Sequence, residues 1–264
     1  MIVELGASAY LNELPGRFRQ GAHHVHLAHV EFGDAIIPCF IKIFPPDTGG
    51  LVNEAIGWLL AGACQINVAR RAAFITIPVH RLASRAPSWA VNGNTDEIRA
   101  WAIESIPGEP LSFLHRGADD ELWDEVINNV MGRRISAFDE WTSNNDRHGG
   151  NLIRDARRRW WAIDFSELLG SYAWSLLVDF PIVDHHPTEL LRRAQDRLRT
   201  PALQQFKNAM IEAAEGHDAA FAQLRDAVAK IVHQEHGAAA AELVISFLTQ
   251  RAHRNWMPDR LRLI

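Results

Sequence analysis

Asp146 and Asn151 stand five residues apart in the string Asn145-Asp146-Arg147-His148-Gly149-Gly150-Asn151, and Asp164 follows thirteen residues later. Two carboxylates and an amide at this spacing offer hard oxygen atoms. Magnesium prefers such ligands and is usually held by one or two protein groups, with phosphates and water completing its shell. A tight hairpin would bring Asn151 and Asp164 together as that pair and leave Asp146 to orient or deprotonate an attacking hydroxyl. Phosphoryl transfer needs this equipment, because it asks the protein for positioning and charge neutralisation more than for covalent chemistry. It also needs a cation. Lys42 lies within the apolar run Cys39-Phe40-Ile41-Lys42-Ile43-Phe44, where a lysine calls for a partner. Glu54, on the next helix, is the candidate. Lysine occurs only at 42, 207 and 230, against 24 arginines, so its use here is selective. The plain alternatives are an edge-strand lysine facing water and a glutamate on a solvated helix face.

The elements that must position these groups are legible as patterns. Val25 to Phe32 alternates apolar and polar residues, Gly33-Asp34 signals a turn, and Ala35 to Phe44 is a second strand. Pro45-Pro46 ends the ladder. Val52, Ala55, Ile56, Leu59, Leu60 and Ala63 recur at helical spacing over Leu51 to Gln65. Phe74 to Ile77 and Ala100 to Ile106 are predicted strands, and Pro107-Gly108-Glu109-Pro110 is a break. Beyond it the pattern turns helical, over Ser112 to His115 and Asp119 to Phe138. A hairpin of Asn151 to Ile153 and Trp160 to Phe165 follows, around the turn Asp155 to Arg159. From Pro187 onward the chain reads as helix, with alanine-rich stretches at 209–232 and 238–252. The expectation is an α+β, two-lobed fold: a small strand-rich N-terminal nucleotide-binding lobe over residues 1–107 and a larger helical catalytic lobe over 108–264.

The bulk numbers exclude several classes. With 47% hydrophobic and 22% charged residues in 264, the chain can build a sizeable core. A net charge of -5 is a poor footprint for nucleic acid, so none is expected as a direct partner. Cys39 and Cys64 fit neither a metal site nor a disulfide framework and suit a reducing compartment. Glu4 and the lack of Lys or Arg before Arg17 do not read as a secretory leader. The best apolar run, Ala238 to Leu248, is short and contains Glu242. A soluble cytoplasmic protein with no membrane partner is expected.

The string Asn145 to Leu152, followed by Trp161-Ala162-Ile163-Asp164-Phe165, resembles the catalytic and metal-binding loops of HipA-like kinases. A similar Asp-Arg-His-x-x-Asn pattern occurs in phosphoinositide kinases. Ile41-Lys42-Ile43 and Asn53-Glu54-Ala55 are similar to that family's strand lysine and helix glutamate, so the likeness spans roughly Phe40 to Gly170. It implies a protein-kinase-like fold and an ATP- and Mg²⁺-dependent serine/threonine kinase, of a kind that includes toxins held by an antitoxin or regulatory protein. By the resemblance Asp146 is the catalytic acid/base, Asn151 and Asp164 are the metal ligands, Lys42 holds the ATP phosphates and Glu54 holds Lys42. His148 supports the loop, and Glu104-Ser105-Ile106 offers backbone groups to adenine. Two positions depart from the pattern. Ser166 follows Asp164-Phe165 where many kinases have glycine, which implies a less mobile segment. The phosphate-covering loop falls on Gly16 to Ala22, with Arg19, Gln20, Gly21 and Ala22 as contacts, yet it lacks the usual glycine spacing.

Three other readings fit parts of the sequence. A lipid or small-molecule kinase would use the same residues. A pseudokinase would bind nucleotide without turnover, although none of the key residues is missing. A metallohydrolase could be assembled from His24 and His26, which share a strand face, the pair His185-His186, and Asp146, His148 and Asp164.

Overall fold

The computed structural model describes residues 2–15, 24–33, 35–82, 86–93, 95–114, 119–174 and 187–263. Six strands, β1 (Val3–Leu5), β2 (Tyr10–Glu13), β3 (His24–Phe32), β4 (Ala35–Ile43), β5 (Ala72–Pro78) and β6 (Glu97–Glu104), form a sheet in the order β1-β5-β6-β4-β3-β2. The β3–β4 hairpin forms over the alternating runs expected of it, and its turn passes through Gly33 at φ 63°. The parallel β1–β5 pair and the short strand β2 carry too few residues to show a period. Strand β4 is interior to the sheet, with Lys42 opposite Val25 on β3 and Trp101 on β6. An edge-strand lysine facing water is therefore excluded.

Helix α1 (Gly50–Ala63) crosses from β4 to β5 and is buried on nearly every side. A short helix α2 (Ser88–Asn92) precedes β6. The chain leaves the large sheet at Glu104 and enters a second one at β7 (Glu109–Pro110), which pairs with β8 (Leu152–Arg154) and β9 (Trp160–Ala162) in the order β7-β8-β9. Between β7 and β8 lie α3 (Leu111–Leu114), α4 (Asp119–Asn128) and α5 (Val130–Thr142). The single helix expected over Asp119 to Phe138 is broken at Asn129. Its backbone is extended and its side chain accepts from the Met131 N–H at 2.8 Å, a helix N-cap that the apolar period had masked.

The remaining described helices are α6 (Glu189–Arg197), α7 (Thr200–Ala214), α8 (His217–Ala252) and α9 (Trp256–Leu263). Helix α8 bends at Gly237, where φ is 84°. The result is the two-lobed α+β arrangement of a strand-rich first part and a larger helical second part. One apolar core runs through both, joining Val52, Ile56 and Leu60 of α1 to Trp101 of β6, Phe138 and Trp141 of α5, Phe165, and Val228, Val232 and Leu248 of α8. A second core, with Ile41, Ile43, Ile75 and Ala100, fills the other face of the large sheet. Among the described residues, no helix is long and apolar enough to cross a membrane.

Candidate active site

Alternation along β4 sends Ile41 and Ile43 into one core and Lys42 to the opposite face of the sheet, above α1. Lys42 is 8% exposed and Glu54 fully buried, so neither lies on a solvated surface. The Lys42 Nζ donates to Glu54 Oε1 at 2.5 Å and lies 3.0 Å from Asp164 Oδ1. Burial opposes the lysine charge, yet Asp164 and Glu54 outweigh it and hold its pKa above the usual value. Burial pushes the Glu54 carboxyl up to about 8, with Lys42 opposing and Asp164 adding to the rise. Burial also works against Asp164, but Lys42 and hydrogen bonds from its neighbours hold that carboxyl well below the ordinary range. Asp164 is thus the firm anion of the group. Glu54 has a second task, since its Oε1 accepts from the Phe165 N–H at 3.2 Å and so fixes the residue after Asp164.

The β8–β9 hairpin sets the register of the other oxygen ligands. Leu152 faces Ala162, and the ladder extends by a bond from the Ile163 N–H to the Asn151 carbonyl at 3.1 Å. Asn151 and Asp164 therefore leave the same end of the hairpin. Asp164 turns out of it at φ 60°, a left-handed conformation that aspartate tolerates better than most residues. The Asn151 Nδ2 donates to the Asp146 carbonyl at 2.7 Å and approaches Asp146 Oδ2 at 3.3 Å, which directs the amide oxygen away from Asp146. Burial raises the pKa of Asp146, opposed by His148 and reinforced by the Asp164 charge, so the two carboxylates feel one another across the site.

His148 is largely exposed. Its Nδ1 accepts from the Gly150 N–H at 2.9 Å, so the neutral ring carries its proton on Nε2, which faces Asp146 Oδ2 at 3.7 Å. The ring supports the loop and is too distant from Asp146 to hydrogen-bond it directly.

Two residues that the sequence did not single out hold this assembly together. The first, Arg147, is fully buried. Its Nε and Nη2 grip both oxygens of Asp139 on α5 at 3.1 Å, and its Nη1 donates to the carbonyls of Asn151 at 3.2 Å and Ile163 at 2.6 Å. One guanidinium thus joins α5 to both strands that carry the oxygen ligands. Asn144 adds a bond to Asp139 Oδ1 at 2.9 Å. On the other side Asn53, beside Glu54 and fully buried, donates to the carbonyls of Ser166, Leu168 and Ser171 and accepts from Trp174 Nε1. It binds the segment after Asp164 to α1. In the sequence Asn53 stood only as a member of the string Asn53-Glu54-Ala55, with no role of its own.

Of the segment expected to meet adenine, the Glu104 N–H bonds the Arg71 carbonyl and the Ser105 N–H bonds the Pro38 carbonyl. Their N–H groups are thus engaged by neighbouring backbone. The phosphate-loop candidates Arg19, Gln20, Gly21 and Ala22 lie outside the described residues, as do His185 and His186. Of the strand histidines, His24 is exposed. His26 is buried against the Tyr10 hydroxyl at 3.0 Å and His29 contacts Asn12 at 3.2 Å. Among the described residues, no cluster of three or more His, Cys, Asp or Glu side chains could hold a metal ion. The oxygens expected to meet a cation are the amide of Asn151 and the carboxylate of Asp164, which leave the same end of the hairpin. That pair fits a hard divalent ion that keeps most of its shell for phosphate and water, and it does not fit zinc.

No protein-family model matches the chain, and no curated protein matches it in sequence. Among solved structures it is similar to the Helicobacter pylori proinflammatory kinase CtkA, at 11% identity and a TM-score of 0.49, over 96% of this chain and 99% of that one. A MAP kinase from Leishmania major, LmaMPK10, is similar at 12% identity and a TM-score of 0.35, over 96% and 82%. Likeness at this level carries no chemistry, and the two-lobed architecture stands on the elements themselves.

Proposed function

We propose that the chain is an ATP- and magnesium-dependent phosphotransferase, most simply a HipA-like kinase that phosphorylates serine or threonine of a protein acceptor in the cytoplasm, with an antitoxin or regulatory protein as a further partner. The observation that carries this reading is the buried Lys42 bridging Glu54 and Asp164, with Asp146 and Asn151 on the adjoining loop. A lysine that only balanced charge would not need two carboxylates. Here the surplus negative charge suits a divalent ion beside a polyphosphate. Magnesium, when bound, would neutralise charge developing on the phosphates.

The chain's own residues divide the remaining work. Glu54 aims the Lys42 ammonium toward the cleft, where it can meet phosphate oxygens. Asn151 and Asp164 offer their oxygens to the cation. Asp146, half-exposed and with its pKa raised, faces outward, where it can orient an acceptor hydroxyl and take its proton. Arg147 keeps the loop and hairpin in register, and the backbone of Glu104, Ser105 and Ile106 is the segment that would meet the adenine edge.

The test is purified protein with labelled ATP, Mg²⁺ and a generic protein acceptor. Asp146→Asn should lower transfer by about 10²–10⁴-fold while the protein still binds nucleotide. Asp164→Asn should abolish transfer and also weaken Mg-ATP binding. Transfer surviving in the Asp164 variant would end the metal assignment, and transfer to a lipid or small alcohol in place of protein would redirect the acceptor class.

A further inference from the structure

Ser166 occupies the place where the sequence pattern leads one to expect glycine, and the structure shows why glycine is not required. The left-handed turn falls on Asp164, and Ser166 is not among the residues with positive φ. Ser166 is buried, at 4% exposure. Its carbonyl is held by Asn53 at 2.7 Å, which fixes its backbone from the α1 side. Its hydroxyl donates to Asp164 Oδ1 at 2.9 Å, and its N–H approaches the same oxygen at 3.4 Å. Lys42 Nζ reaches that oxygen as well, at 3.0 Å. Donors thus gather on Oδ1, while Oδ2 receives none of these bonds.

A carboxylate that rotates freely about its last bond presents either oxygen to a cation and loses rotational entropy when it binds one. Donors fixed on a single oxygen remove that freedom beforehand, as outer-shell partners do for metal ligands generally. We propose that Ser166 is a positioning residue for metal binding: its hydroxyl, with Lys42, locks Asp164 Oδ1 so that Oδ2 is presented to the divalent ion that accompanies the nucleotide. The inference rests on the phosphotransferase reading. It goes beyond it in assigning a role to the side chain that departs from the kinase pattern.

The probe is Mn²⁺ with ADP, followed by the electron-spin resonance of free Mn²⁺ in titrations of wild type and Ser166→Ala. Ser166→Ala should raise the Mn²⁺ dissociation constant about tenfold. In transfer assays its Mg²⁺ requirement should rise by a similar factor, with kcat recovering toward wild type at saturating Mg²⁺. A purely structural role would instead lower kcat at every Mg²⁺ concentration. Should Ser166→Ala fail to fold, Ser166→Gly removes the same hydroxyl without adding bulk and is read the same way. Equal Mn²⁺ affinity in variant and wild type, or a kcat loss that Mg²⁺ does not restore, would overturn the role of Ser166 alone. A wild type that binds no Mn²⁺ with ADP would overturn the phosphotransferase reading and this inference with it.

Discussion

At the scale of single residues, the site depends on buried charges that are paired before any ligand arrives. Arg147 is the clearest case. Replacing it with methionine leaves Asp139 buried on α5 without its counter-charge and takes a donor from the carbonyls of Asn151 and Ile163, the first of which keeps the Ile163 N–H. Breaking such a pair by removing one partner costs about 3–5 kcal/mol, so Arg147→Met should show a large drop in unfolding free energy by urea titration. A double variant that also converts Asp139 to leucine should recover part of that loss. His217 makes a different prediction. It stacks on Trp141 with ring centroids 4.5 Å apart, and burial lowers its pKa to about 4 from 6.5. Between these values the unfolded chain binds the proton and the folded one does not. Stability is therefore full above about pH 6.5 and falls as pH drops toward 4, by about 3 kcal/mol in all. Melting temperatures measured across this window should fall with acid, and His217→Phe should flatten the dependence.

At the scale of elements, α1 matters through both of its faces. Gly57 lets it approach the segment after Asp164 so closely that an added Cβ would stand 2.4 Å from the Phe165 Cβ. Gly57→Ala should push α1 and that segment apart. The expected cost is about 1–3 kcal/mol of stability, with a loss of transfer larger than this destabilisation explains, because Glu54 and Asp164 sit on the two parts being separated. Thermal melting beside the transfer assay checks both halves of the expectation. The same contacts show what could be read from the sequence. Lys42, Asp146, Asn151 and Asp164 could be picked out because residue type and local spacing mark them, and folding brings them to one place. The β3–β4 and β8–β9 hairpins were legible because alternation and turn residues announce them. Arg147 and Asn53 were not, since their roles lie in partners that only folding supplies. The carbonyls Asn53 holds are 113 to 118 residues away in the chain. Asn129 was hidden for the opposite reason, because an apolar period continued across a cap that ended one helix and began another.

At the scale of the whole molecule, the two lobes share one apolar core, and α8 reaches back from the helical lobe to pack on α1. Glu235, just before the bend at Gly237, pairs with Arg99 on β6 at 2.9 Å. That pair is partly exposed and adds little by itself, so the burial around it carries the connection. The lobes should therefore unfold together. Calorimetry should give a single peak whose calorimetric and van't Hoff enthalpies agree, and two separable transitions would contradict a common core.

The hold of Asn53 on Ser166, Leu168, Ser171 and Trp174 has a consequence for control of the protein. Where a catalytic segment hangs loose, a cell can switch an enzyme by adding a phosphate that draws the segment into order. Here residues 166–174 are already tied down by an amide from the opposite helix, and a charged group placed on Ser166 would be thrust against Asp164.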